Sequence, residues 1–144
     1  MVTISSRMQF PGMAMGFIRR MLDEAIKHCN DRIVGGKPLM ALDQVKQQIA
    51  KIQNHFTVCS AMCARSSDVS SIENNLALAG VEANTMKAYV SDAMQESAQL
   101  QTQLKGANGY KMENIGSRGI VDSRPFQIFE GSNEMLYTQI SEMV

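Results

Sequence analysis

Between positions 70 and 105, apolar or small side chains recur at Ile72, Leu76, Ala79, Ala83, Met86, Val90, Ala93, Ser97, Leu100 and Leu104, in alternating steps of four and three. That spacing gathers them on one stripe of an α-helix; a strand, whose side chains repeat every two residues, could not use it. It predicts one long helix with a seam facing a partner helix. Gly80 interrupts the run at a cost of about 1 kcal/mol relative to alanine, unless close packing requires it there.

Two more seams precede this one. Leu42, Val45, Ile49, Ile52, Phe56, Cys59 and Cys63 predict a helix over 40–65 that ends in the polar run Ser66, Ser67, Asp68. Phe17, Met21 and Ala25, with Ile18, Leu22, Cys29 and Ile33, predict another. It starts near Pro11, a residue favoured in a first turn, and stops at the breaker Val-Gly-Gly-Lys-Pro at 34–38. No strand alternation is convincing. Short connections between long helices make antiparallel neighbours. Gly106, Asn108, Gly109, Gly116, Gly119 and Pro125 then break up residues 106–131. This stretch predicts a structured loop with one helical turn over 114–119, and it is longer than an ordinary connector. A last helix is expected over 133–143. The fold expected is all-α, an antiparallel up-down four-helix bundle in one domain over 1–144.

The chain's chemistry narrows its partners. Lys+Arg and Asp+Glu both number 14, so no basic excess draws in nucleic acid. Nowhere do eighteen apolar residues run together, and the N-terminal run lacks a signal-peptide pattern, which predicts a soluble, cytoplasmic protein without membrane association. Cys29, Cys59 and Cys63 read as reduced packing residues, the last two sharing a helix face. His28 and His55 are the only histidines, and with these cysteines they match no recognised metal-ligand spacing, so no metal is expected. The twelve methionines sit mostly on the seams as core filling.

The stretch Ile128-Phe-Glu-Gly-Ser-Asn-Glu-Met-Leu136 sets an acid just ahead of the last helix. Ser132 is a good N-cap, and Glu134 suits the positive end of the helix dipole. Neither role explains Glu130, which follows two apolar residues. A carboxylate beside apolar side chains is one that can be tuned as a base.

Four stretches together carry a resemblance: Leu22-Asp-Glu-Ala-Ile-Lys-His-Cys-Asn-Asp-Arg32, Gly36-Lys-Pro-Leu39, Gln103-Leu-Lys-Gly-Ala-Asn-Gly-Tyr110 and Gln127-Ile-Phe-Glu-Gly-Ser132. In order and spacing they resemble the C-terminal all-helical domain of the acyl-CoA dehydrogenases, over nearly the whole chain. The family pairs this domain with an N-terminal helical domain and a middle β-domain, neither of which is in this sequence, and binds FAD and an acyl-CoA thioester among the three.

The resemblance implies roles residue by residue. Glu130 matches the base that removes the proton alpha to the thioester carbonyl, while the beta hydrogen leaves as hydride to the flavin; a dry pocket would strengthen such a base. Some relatives carry the base near the start of the first long helix, where this chain has Ser6. Arg32 matches an arginine reaching the FAD pyrophosphate of a neighbouring subunit. Gln103, Gly106 and Ala107 match the stretch approaching that same cofactor, with Ala107 in place of a second glycine. Gly131 and Ser132 match the Gly-Thr after the base, with Ser132 placed to contact a flavin phosphate. Arg7 lines up with an arginine that faces the acyl-CoA.

The chain also departs from the pattern. Gly35 replaces a phenylalanine, Asp43 a glutamine and Val121 an arginine, all changes that weaken a flavin site. Two functions are therefore carried: the catalytic C-terminal domain of such an enzyme, its other domains lying elsewhere, even on a separate flavin-bearing chain; or a helical oligomerisation or binding module that has lost flavin. Both imply self-association into a dimer or tetramer, because the family's bundle forms the oligomer interface.

Overall fold

The computed structural model describes residues 2–68 and 75–144. The chain forms α1 (Val2–Arg7), α2 (Phe10–Asp31), a hairpin of β1 (Ile33–Val34) and β2 (Lys37–Pro38), α3 (Asp43–Asp68), α4 (Leu76–Lys105), α5 (Ile115–Ser123) and α6 (Asn133–Met143). The three long seams and the last helix are where the sequence places them. The expected start of α4 at Ser70 and its seam residue Ile72 lie outside the described residues.

Cross-helix pairs fix the directions. Gly12 faces Cys63 and Arg19 lies over the Phe56 ring, so α2 and α3 are antiparallel. His55 meets Glu96 while Arg65 meets Glu82, so α3 and α4 are antiparallel too. Lys87 pairs with Asn133, and Asn84 with Gln139, which sets α6 antiparallel to α4. The order is up-down-up-down. α2, α3 and α4 pack mutually around Ile18, Leu22, Cys29, Ile52, Cys59, Val90 and Met94, while α5 and α6 also pack on α4. Burial therefore extends round α4 beyond its predicted seam and takes in Asn84, Lys87 and Ser91, leaving an exposed stripe at Thr85, Asp92, Glu96, Gln99 and Gln103. Gly80 has its packing reason: a Cβ there would press on Met143 Sδ at 3.3 Å.

Three features differ from the sequence expectation. α1 has no strong signal in the sequence, since Val2, Thr3 and Ile4 favour helix weakly and the helix is anchored by tertiary contacts of Arg7. The stretch 33–38 is a small hairpin, because Gly35 and Gly36 have φ of 58° and 78°, the positive pair that a two-residue turn needs. Ile33 and Leu42, read as seam residues, are accordingly exposed outside the helices. Within the glycine-rich segment α5 extends to Ser123, and Gly119 lets it sit against Met21 and Phe17 of α2. Buried Gln101 and Asn114 exchange two amide hydrogen bonds, of 3.2 and 3.0 Å, and so pin the start of that segment to α4.

Candidate active site

The turn into α6 is built from two consecutive left-handed residues, Glu130 at φ 58° and Gly131 at φ 95°. Glu130 is the one non-glycine residue with positive φ among the described residues. Such a backbone costs a side-chain-bearing residue about 1 kcal/mol or more, and it persists only where surroundings enforce it. Ser132 then caps α6, its Oγ accepting from the Met135 amide at 3.4 Å, as the sequence predicts.

What enforces the turn is a buried polar assembly beneath it. Arg7 Nε donates to the Glu130 carbonyl at 2.9 Å, and Arg7 Nη1 to Asn84 Oδ1 at 2.5 Å. Lys87 Nζ donates to the Gly131 carbonyl at 2.7 Å and to Asn133 Oδ1 at 2.9 Å. The Asn133 amide in turn donates to Ser91 Oγ and to Asp92 Oδ1, both at 2.9 Å, and Tyr137 and Gln127 also donate to Asp92. Arg7 is 8% exposed and Lys87 fully buried. Burial lowers the pKa of each; Glu130 opposes this at Arg7, and at Lys87 the Arg7 charge adds to it while Asp92, Glu134 and Glu130 oppose.

Sequence reasoning missed Lys87, Asn84, Asp92 and Asn133. A signal was present: Lys87 lies four residues from both Ala83 and Ser91, on a face that the glycine-rich segment and α6 had to cover. Arg7 was found, but the structure places it under the loop rather than on an open face.

The Glu130 carboxylate points the other way and accepts from Ser6 Oγ at 3.0 Å. Beside it Phe10, Phe126 and Phe129 form a ring cluster with centroids 5.2–5.7 Å apart. Glu130 itself is exposed, as are Ile128 at 58% and Phe129 at 43%. The expected dry pocket is therefore not formed by this chain, because the apolar neighbours meant to enclose the carboxylate are themselves open to solvent.

The remaining predicted residues gather at the far end of α4. Arg32, the residue capping the end of α2, joins Gly106 and Ala107 around a recess of about 330 Å³, with His28, Leu39, Leu104 and Lys105 completing much of its wall. Gln103 is exposed in the last turn of α4 and its carbonyl accepts from the Gly106 amide. Burial, then Lys105 and Arg32, lower the His28 pKa, leaving the recess's positive charge to the arginine and lysine. From Lys87 to Lys105, α4 rises roughly 27 Å, so the two groups of residues are well apart. Asp43 is exposed and paired with Lys46, Gly35 occupies the hairpin turn, and Val121 is exposed on α5.

Residues 4–144 match the family model described as acyl-CoA dehydrogenase, C-terminal domain. The chain belongs to the acyl-CoA dehydrogenase family. It is 25% identical over 136 residues to an acyl-CoA dehydrogenase of Bacillus subtilis (strain 168), covering 94% of this chain and 35% of that protein. Its fold is similar to butyryl-CoA dehydrogenase from Megasphaera elsdenii, with a TM-score of 0.86 at 21% identity, over 97% of this chain and 36% of that one. The structure of PigA with FAD and proline gives a TM-score of 0.88 at 18% identity, over 97% and 36% of the two chains. The chain thus spans about a third of the length of each of these proteins. No described helix is long and apolar enough to cross a membrane.

Proposed function

We propose that this chain is the part of a flavin-dependent acyl-CoA dehydrogenase that supplies the base, Glu130. The observation that carries the reading is the arrangement of the turn: buried groups grip the backbone of Glu130 and Gly131, while the carboxylate projects outward to meet Ser6. A carboxylate so placed can take the proton alpha to a thioester carbonyl. The C–H electron pair stays on the alpha carbon and becomes the new double bond as the beta hydrogen leaves as hydride. Gly131, next to the base on the turn, would border the acyl-CoA, whereas Arg7, which the resemblance aligns with an acyl-CoA-facing arginine, is buried beneath the turn and acts through the Glu130 backbone. An acyl chain and the remainder of the enzyme would cover Ile128, Phe129 and Glu130, excluding water, and a carboxylate cut off from water is a stronger base.

FAD, when bound, supplies the hydride acceptor. The recess at Arg32 fits its phosphates: two cations, Arg32 and Lys105, stand beside the backbone of Gly106 and Ala107, whose small side chains allow close approach. Gln103 borders the same site, and Ser132 would meet a flavin phosphate near Glu130. A separation of roughly 27 Å along α4 favours two cofactors, one of them belonging to a neighbouring subunit. The exposed apolar groove of Val58, Ala61, Met62 and Val81 between α3 and α4 suits a second copy of the chain.

The test is Glu130→Gln in the enzyme assembled from this chain and its flavin-bearing remainder. Loss of acyl-CoA oxidation with flavin absorbance retained is the expected result. A normal rate would remove Glu130 from the mechanism, and a colourless assembly would favour the module that has lost flavin.

A further inference from the structure

Lys87 is a fully buried ammonium whose acceptors are two neutral oxygens, the Gly131 carbonyl and Asn133 Oδ1. For folding alone this is a poor choice, because desolvating a charge is costly and an apolar side chain of the same length would pack at no such cost. What the ammonium does that a methionine cannot is hold a backbone carbonyl. That carbonyl belongs to the residue immediately after Glu130, and the Glu130 carbonyl itself is held by the second buried cation, Arg7.

We propose that Lys87 is a positioning residue for the base: with Arg7 it clamps two successive carbonyls inward, so that the left-handed turn at Glu130 and Gly131 presents the carboxylate outward. The inference rests on Glu130 being the base. The clamp is anchored from α4, through Asn133, whose amide is fixed by Ser91 and Asp92, so the Lys87 ammonium has a defined place rather than a mobile one. Arg7 meets the same helix at Asn84, so both cations are referred to one rigid element. A bulkier residue 131 would foul the clamp, since a Cβ there would lie 3.0 Å from Arg7 Nη2.

The strain at Glu130 gives the clamp its purpose. Freed from it, a non-glycine residue at φ 58° relaxes to the right-handed or extended region, which swings the side chain away from Ser6. A displacement of about 1 Å in a reacting group costs on the order of 100-fold in rate.

The experiment uses Lys87→Met in the assembled flavin enzyme, with kcat and KM measured beside the amide exchange of residues 130–133. The expected result is a fall in kcat on the order of 100-fold with KM within about twofold, unchanged flavin content and faster exchange at those amides. Asn133→Ala, which leaves both cations in place but removes one of the two acceptors that fix the ammonium, should show a smaller loss of the same kind. It also carries the test if Lys87→Met does not accumulate folded, and unchanged kcat and exchange in it would then overturn the clamp. Normal turnover in Lys87→Met, while Glu130→Gln is inactive, would overturn it too. If Glu130→Gln is fully active, the base assignment fails instead, and the clamp stands or falls on the exchange of 130–133 alone.

Discussion

Ser6 and Glu130, 124 residues apart in the chain, share a hydrogen bond of 3.0 Å. By the resemblance read from the sequence, Ser6 matches the place where some family members carry their base, so under the proposed function the two alternative locations of that base meet at one point in space. A carboxylate introduced at Ser6 therefore reaches the same region as Glu130. In the assembled enzyme, Ser6→Glu combined with Glu130→Ala should recover about tenfold or more over Glu130→Ala alone, out of the 10²–10⁴-fold a general base contributes. Steady-state oxidation of acyl-CoA checks this, and no recovery would mean that the two positions do not share a substrate atom.

Arg32 tests the second group of residues. It is exposed at the end of α2, so Arg32→Ala should change the stability of the chain by no more than about 0.5 kcal/mol. Flavin retained on gel filtration of the assembled enzyme should nevertheless fall. Undiminished flavin content would remove Arg32 from the cofactor site.

Gly131 has φ 95°, and a Cβ there would also press on Met135 Cε at 2.8 Å and Leu136 Cδ2 at 3.2 Å. Gly131→Ala is expected to destabilise the chain by about 1–3 kcal/mol in urea unfolding. The same change in Gly16, where a Cβ would meet nothing within 4 Å, should not destabilise it.

Cys59 is fully buried, and that burial raises its thiol pKa from 9.0 to about 11. Because the folded value lies above the unfolded one, the folded state holds the proton longer. The associated stability is present below 9.0 and is lost as pH rises to about 11. The difference in unfolding free energy between wild type and Cys59→Ala should narrow over that interval by on the order of 2 kcal/mol. Urea titrations at both ends of it give the answer; a constant difference would contradict the burial argument.

The long helices were legible because burial on one side leaves a three-and-four rhythm, and Ile18, Ile52 and Val90 keep it. Leu76 breaks it at the end of α4, where it is exposed because cover begins only at Ala79. α1 was not legible, being short and held by tertiary contacts. The hairpin was marked by Val-Gly-Gly-Lys, which is a turn signal as much as a breaker. At the site, Glu130 and the Ser132 cap could be read from their local pattern, Gly131 came by resemblance, and Arg32, Gly106 and Ala107, also placed by resemblance, do converge on one recess. Lys87 and Asn133 could not be read as partners, since nothing in a single sequence says which polar residue of a buried helix lies beneath a loop forty residues away. The dry environment expected for Glu130 depends on surface that this chain does not supply.

The most direct measurement is exchange of the alpha protons of a bound acyl-CoA with deuterium oxide in the assembled enzyme, followed by mass spectrometry without an electron acceptor. This isolates proton abstraction from everything the flavin does afterwards. With Glu130 as the base, wild type should exchange and Glu130→Gln should not, both retaining their flavin. Equal exchange in the two proteins would contradict the account.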